Sequence, residues 1–222
     1  MKKTKNNISN AWIMRPKPHG TDQMDYFLKK NRICIGYPVG QSLKGCNYND
    51  LRRILTEEDL KNQKNGKSSK LINGLSNVNI LVRDMKVGDI VVVPHGNDIY
   101  FANITSDYVY ENVFDKDKLG SGFPHQREVE WLFDGKPLSR NELPTEIRES
   151  LQFPGTAANI KKHVDVLNNL LNGADLIQNN FELNNVQDNA LKVAELVLNA
   201  PDSTTDQRLK AAELILNYGK IK

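Results

Sequence analysis

Residues 85–110 read MKVGDIVVVPHGNDIYFANITSDYVY, and the change of period inside this stretch decides the fold. Upstream, Leu71, Leu75, Val78, Leu81, Val82 and Met85 recur at helical spacing and mark one face of a helix. Lys86-Val87-Gly88-Asp89 then reads as a turn, and Ile90 to Val93 is an unbroken apolar run. Such a run suits a strand buried on both faces. Pro94 to Asp98 is the expected hairpin loop. Ile99 to Thr105 returns as a strand, with Tyr108 and Tyr110 beyond it.

Working outward toward the start, Ala11 to Arg15 is a short β-compatible segment stopped by Pro16 and Pro18. Thr21 to Lys30 has Met24, Phe27 and Leu28 at helical spacing, and Arg32 to Gly36 reads as a second strand. Residues 39–69 are polar, with two short helices expected over Asn49–Leu55 and Glu57–Lys64, the second capped by Thr56. Toward the end, Asn112 to Gly122 is a charged loop and Gln126 to Phe133 a further strand, closed by an Asp134-Gly135 turn. Ser139 and Glu142 form a capping-box pattern before a short helix ending near Leu151. Thr156 to Leu171 reads as helical. The last forty residues duplicate: LKVAELVLN at 191–199 recurs as LKAAELILN at 209–217, with Ser203 in the linker able to cap the second copy. Two short amphipathic helices carry little core of their own, so the pair is expected to pack, dimerise or dock.

The words of this sequence resemble, in order, those of the PUA-like barrels, the group that includes the EVE and YTH domains. AWIMRPKP at 11–18 is similar to the opening strand of EVE domains, and ICIGYP at 33–38 to the second strand of EVE-like modules fused to Mrr-type and McrB-type restriction enzymes. The 85–110 stretch resembles their central hairpin. PHQREVEWL at 124–132 and LSRNELPTEIRESL at 138–151 resemble their closing strand and last helix. The resemblance implies an α+β, PUA-like (EVE/YTH-like) small mixed β-barrel over residues 11–165. A flexible tail (1–10) precedes it, and a helical segment (166–222) follows, with a hairpin of helices near 188–199 and 205–217.

What the resemblance implies for chemistry is binding of a modified nucleobase, as YTH domains hold a methylated adenine in an aromatic cage. Tyr37, with Pro38 after it, stands where the family places a cage wall. Many relatives have Trp there, and the other reading is a surface tyrosine at a turn. Arg15, Pro16 and Lys17 stand at a polar corner that contacts base edge and backbone, or form a solvated basic turn. Ser42 lies in the loop after the second strand. Phe114 and Phe123 flank the loop that carries a second cage wall, and either can instead be core. His95 in the hairpin is a contact or an exposed turn histidine. His125 and Arg127 open the last strand and could meet phosphate or base; Arg127 could equally pair with Glu128, Glu130 or Asp107. Trp12 and Trp131 sit inside strand patterns and are expected in the core.

Lys plus Arg number 30 against 27 Asp plus Glu, so the net charge of +3 does not demand a basic binding face. Cys34 and Cys46 are too few for a disulfide framework or a four-cysteine zinc site and read as free thiols of a reducing, cytoplasmic setting. The basic opening MKKTKNNISN lacks the apolar core of a signal peptide, and no run is long enough to span a bilayer. The sequence holds no GxSxG, P-loop, HExxH or CxxC, its four histidines lack metal-ligand spacing, and no Glu-x-Lys strand follows the barrel. The expectation is a reader without catalytic residues, metal or cofactor, in a restriction, anti-phage or mobile-element setting. Its expected partners are nucleic acid carrying a modified base, most readily DNA, and a protein or second copy at the terminal helices, with no membrane. Two alternatives stand beside it: a non-catalytic adaptor that kept the barrel, and a sensor or enzyme acting on a free modified nucleotide.

Overall fold

Ile90 to Val93 is buried along its whole length because both faces of its strand are covered. Val91 and Val93 enter one core with Trp12, Met14, Ala102 and Ile104; Ile90 and Val92 enter a second with Ala11, Ile13, Ile99 and Phe101. Side chains alternate across a strand, so an all-apolar run is the signature of this two-sided burial. The computed structural model describes residues 8–66, 70–116, 118, 120–200 and 202–219; for 174–189 and 217–219 the backbone alone is described.

The elements run β1 (Ala11–Met14), α1 (Met24–Lys30), β2 (Arg32–Ile35), α2 (Tyr48–Lys64), α3 (Leu75–Asn79), β3 (Ile90–His95), β4 (Asp98–Ile104), β5 (Val109–Tyr110), β6 (His125–Trp131), β7 (Leu138–Ser139), α4 (Thr145–Ser150), β8 (Ala157–Asn159), α5 (Val164–Asn199) and α6 (Thr205–Gly219). The fold is α+β. Its curled mixed sheet has the order β2-β6-β4-β3-β1-β8, with β5 on β6 and β7 on β4. Strands β1 and β3 pair in parallel, with Trp12 opposite Val91, and the other ladders are antiparallel. The 86–89 turn is fixed by Gly88 at φ +89° and by Asp89, whose carboxylate accepts from the Trp12 indole at 2.7 Å and the Lys86 amide at 3.0 Å. Trp12 is thereby a satisfied core residue.

Several local expectations are corrected. The β3–β4 ladder continues through Pro94 and His95, leaving Gly96 and Asn97 as the turn. Residues 48–64 form one helix rather than two. Asn47 caps it with a capping box to Asp50, while the Thr56 hydroxyl donates to the Arg52 carbonyl inside it. Leu71 to Asp84 is a 3-10 turn, α3 and a π turn in succession. Ser139 and Glu142 do form a capping box, on a 3-10 turn that Leu143 ends; α4 starts afresh after Pro144. Ala157 to Asn159, expected as helix, is a strand on β1; its three residues are too few to show a period. Trp131 is half-buried and its indole donates to the Phe27 carbonyl at 3.3 Å.

The chain divides into two compact units, Met1–Leu171 and Asn172–Lys222. Within the first, Ile8 is buried and exchanges hydrogen bonds with the Asn168 side chain, so the chain is docked from Ile8 onward; residues 1–7 of the expected tail lie outside those described. In the second, α5 ends at Asn199 and α6 is capped by Thr204, whose hydroxyl accepts from the Gln207 amide, rather than by Ser203. Ala194 and Ala211 are buried, while Val193, Leu196, Leu209, Leu214 and Leu216 are exposed. The expected helix start near 188 is not seen, because α5 runs on continuously from Val164. No helix among the described residues is long and apolar enough to cross a membrane.

Candidate functional site

The ends of β1 and β2 open onto a cavity of about 210 Å³ in the first unit. Its walls are Lys17 to Gly20 on one side, Gly36 and Tyr37 on another, and Leu71 and Thr156. Prolines 16 and 18 stop β1 and turn the chain across the cavity, and Gly36 ends β2 there. A Cβ on Gly36 would lie 3.0 Å from the His19 amide nitrogen, and one on Gly122 would lie 2.7 Å from the His19 ring, so three backbone passages meet around His19.

Tyr37 is held in the left-handed region at φ +69°, and His19 beside it at φ +52°. For a tyrosine this conformation costs roughly 1–2 kcal/mol and persists only where the surroundings over-determine it. Three contacts do so here. The hydroxyl accepts from the Asn77 carboxamide at 2.9 Å, and the same carboxamide accepts from the Ala157 amide at 3.1 Å. The ring lies on Gly74, where a Cβ would stand 1.8 Å from Tyr37 Cε1. The Tyr37 carbonyl accepts from His125 Nε2 at 3.0 Å. Gly74→Ala should therefore push the ring out of place, costing about 1–3 kcal/mol of stability. Thermal unfolding would measure that cost, and loss of whatever ligand the cavity takes should accompany it.

Behind Tyr37 lies a buried relay. The Leu43 amide donates to the Tyr108 hydroxyl at 3.1 Å, and that hydroxyl lies 2.7 Å from His125 Nδ1. A carbonyl can only accept, so His125 carries its proton on Nε2 toward Tyr37, and Nδ1 accepts from Tyr108. Complete burial pushes the imidazole pKa down to about 4, against the smaller effect of the Tyr37 carbonyl. Burial likewise raises the Tyr108 hydroxyl to about 12. Both groups are neutral and serve as braces.

Of the residues singled out from sequence, Tyr37 and Lys17 line the cavity. Pro16 is buried and Pro38 half-buried next to them. Arg15 is not part of the lining. Its guanidinium donates to the carbonyls of Leu151 (3.0 Å), Phe153 (2.6 Å) and Gly155 (3.2 Å), while its amide donates to Thr156 (2.9 Å). Arg15 is thus a clamp that sets Thr156 in the wall. His125 is buried in the relay, and Arg127 is buried with its guanidinium on the Leu81, Val82 and Ser106 carbonyls rather than on Glu128, Glu130 or Asp107. Phe123 is buried and stacks on half-buried Phe114 at 4.4 Å, with Tyr26 edge-on to both, so this pair is a packed cluster outside the cavity lining. His95 holds Asp22 at 2.8 Å, tying the β3–β4 turn to the start of α1. Asp22 is held below the usual carboxylate range by the Met24 amide first and His95 next. Ser42 is exposed and accepts from the Lys44 amide at 3.3 Å. His19, Leu71, Gly74, Asn77 and Thr156 were not anticipated. The Asn73-Gly74 dipeptide was their one visible signal, as a turn mark inside a helical pattern.

A larger hollow, about 620 Å³, lies where β6 leaves β2 and joins β4, lined by Leu28, Asn31, Val129, Trp131 and Gly135 among others. Glu130 and Asp134 also line it, so their carboxylates disfavour an anionic ligand there, whereas Lys17 is the charged residue on the smaller cavity. Cys34 is fully buried and its thiol is pushed well up by desolvation; burial also raises Cys46, so neither is a ready thiolate. Among the described residues, no three His, Cys, Asp or Glu side chains converge to hold a metal ion.

Comparison with curated proteins returns no match. A family profile does match residues 12–152, a stretch that runs from the second residue of β1 through β7 and α4, holds Tyr37, Gly74, Asn77 and the buried relay, and leaves Thr156 just beyond its edge. Since that stretch covers more than half of the 222 residues, the chain belongs to the family described as domain of unknown function DUF8426.

Proposed function

We propose that the α+β unit is a PUA-like, EVE/YTH-like reader that binds a modified nucleobase, in DNA, without a catalytic step. The observation that carries this reading is Tyr37. An aromatic ring is held at φ +69° by Asn77, Gly74 and His125 on the wall of a small cavity. Strain maintained by so many contacts is a mark of a functional position. At about 210 Å³ the cavity is below the roughly 300–1,000 Å³ of pockets for drug-sized molecules, a size for one ring system rather than a whole nucleotide. Taking a base out of a duplex costs a few kcal/mol. Stacking on one aromatic face returns about 1–3 kcal/mol. Lys17 on the cavity wall offers a cation to the flanking phosphate, and Pro18 and Leu71 offer apolar surface to a base-borne methyl or hydroxymethyl group.

The test is fluorescence anisotropy with matched oligonucleotides that differ only in the modified base: methylated cytosine, hydroxymethylated cytosine or methylated adenine. At least one should bind better than its unmodified partner. Tyr37→Gly, which deletes the ring and leaves the left-handed backbone at ease, should remove that preference and weaken binding roughly tenfold or more. Equal weak binding to every oligonucleotide overturns the reading.

The adaptor reading is favoured by a different observation: the second unit exposes Val193, Leu196, Leu209, Leu214 and Leu216 on its duplicated segments. Protein partners captured by the full chain that persist in Tyr37→Gly, and are lost without residues 186–222, would support it.

A further inference from the structure

We propose that Phe153, at the tip of the Gln152-Phe153-Pro154-Gly155 loop, is a stacking wedge that enters a DNA duplex at the position vacated by the base in the Tyr37 cavity; this rests on the reader function above. The loop joins α4 to β8, and its last neighbour, Thr156, is part of the cavity wall. Phe153 is 44% exposed, although it lies next to buried Leu151 and close to the core strand β8. The ring is nonetheless placed. It lies over Gly155, where a Cβ would stand 2.3 Å from the Phe153 ring.

The backbone beneath it is rigid for a loop. One arginine, Arg15, donates to the carbonyls of residues 151, 153 and 155, and its amide donates to Thr156. Arg15 is also two residues before Lys17, which lines the same cavity. The clamp therefore ties the chain that leads into the Lys17 corner to the 151–156 segment, whose Thr156 is in the cavity wall. Held this way, an apolar ring loses little freedom when it meets a ligand. Removing a base from a duplex leaves a gap between two unstacked neighbours, and apolar side chains such as Phe and Pro fill such gaps in proteins that unstack DNA. A rigid exposed Phe-Pro tip, three residues along the chain from the Thr156 wall of a base-sized cavity, has the chemistry for that gap.

The probe is a short duplex with one abasic site opposite a fluorescent adenine analogue. It presents the gap while giving the cavity no base, so it separates the wedge from the cavity. Adding the full chain should change the analogue's emission. Phe153→Ala should abolish the change and weaken binding to this duplex roughly tenfold, whereas Phe153→Trp should restore it. Tyr37→Gly should leave the abasic signal in place. An emission change that persists in Phe153→Ala, or no change with the unaltered chain, overturns the wedge. A modified-base preference that survives in Phe153→Ala leaves the reader function standing by itself, whereas an unaltered chain that shows no modified-base preference but gives an abasic signal that Phe153→Ala abolishes leaves the wedge without the reader function.

Discussion

Replacing Arg127 by alanine is expected to lower the unfolding free energy by about 3–5 kcal/mol. Arg127 lies on β6 at 2% exposure and, among the described residues, its hydrogen bonds go to carbonyls rather than to a carboxylate. Its Nε donates to the Leu81 carbonyl at 2.6 Å, one terminal nitrogen to Val82 at 3.1 Å, and the other to Ser106 at 3.0 Å. Desolvation lowers its pKa, and Asp107 and Asp89 oppose that from a distance. A guanidinium stays charged in proteins, so the charge is met here by carbonyl dipoles. Two of them belong to the π turn Ile80–Asp84, at the negative end of the helical segment. Truncation orphans three carbonyls at about 1–3 kcal/mol each, offset in part by water entering the space. Arg127→Lys should recover little of the loss, since one ammonium lacks the planar fork that reaches three acceptors. Denaturant unfolding would read the effect as a lower midpoint at an unchanged slope. A loss below about 1 kcal/mol would show that the clamp contributes little. The same segment carries Gly74 and Asn77 upstream, so the partly destabilised variant should also bind less tightly at Tyr37.

Arg127 also shows where sequence reasoning about the site reaches its limit. An arginine beside a histidine at the start of a strand has the composition of a nucleic-acid contact. Both residues are buried because the start of β6 is an inner strand, with β2 and β5 along its edges at 125–126 and both its faces covered, so that Gln126 between them is buried too. That double pairing is set by partners distant in the chain, and no local pattern encodes it. Arg15 misleads in the same way: its partners are carbonyls some 140 residues away, supplied by a loop with no periodicity. The strands β1 to β4 were legible because their apolar runs and turn residues are local, and Gly88 and Asp89 announce their turn by identity alone. The place of Tyr37 at the end of β2 was legible through its neighbours Gly36 and Pro38, while its choice as a site residue came from the resemblance to EVE and YTH domains. The side chains that hold it, Asn77 and His125, come from α3 and β6 and were not assigned that role. Strand β8 was invisible because three residues of Ala-Ala-Asn carry neither strand propensity nor alternation.

Acidification should destabilise the first unit through His125, by about 3 kcal/mol between neutral pH and pH 4. In the unfolded chain the imidazole titrates near its ordinary value of 6.5; in the native state, burial holds it at about 4. Between those values the unfolded chain binds a proton that the native state refuses. Unfolding therefore takes up protons, and stability falls as pH drops from roughly 6.5 to about 4, with no further loss from this group below that. The structure supplies the reason for the refusal. A proton on Nδ1 would face the Tyr108 hydroxyl, which already accepts from the Leu43 amide and would have to withdraw its own proton. The imidazolium would also have no exposure to water. Unfolding midpoints measured across this range should show the slope, over and above that of the carboxylates. His125→Gln keeps a donor within reach of the Tyr37 carbonyl but cannot titrate, so it should be less stable at pH 7 and lack this part of the slope. An unaltered slope in His125→Gln would assign the acid sensitivity elsewhere. Because the relay ends on the Tyr37 carbonyl, the ring should lose its fixed setting over the same window, and binding at the cavity should weaken before the fold is lost.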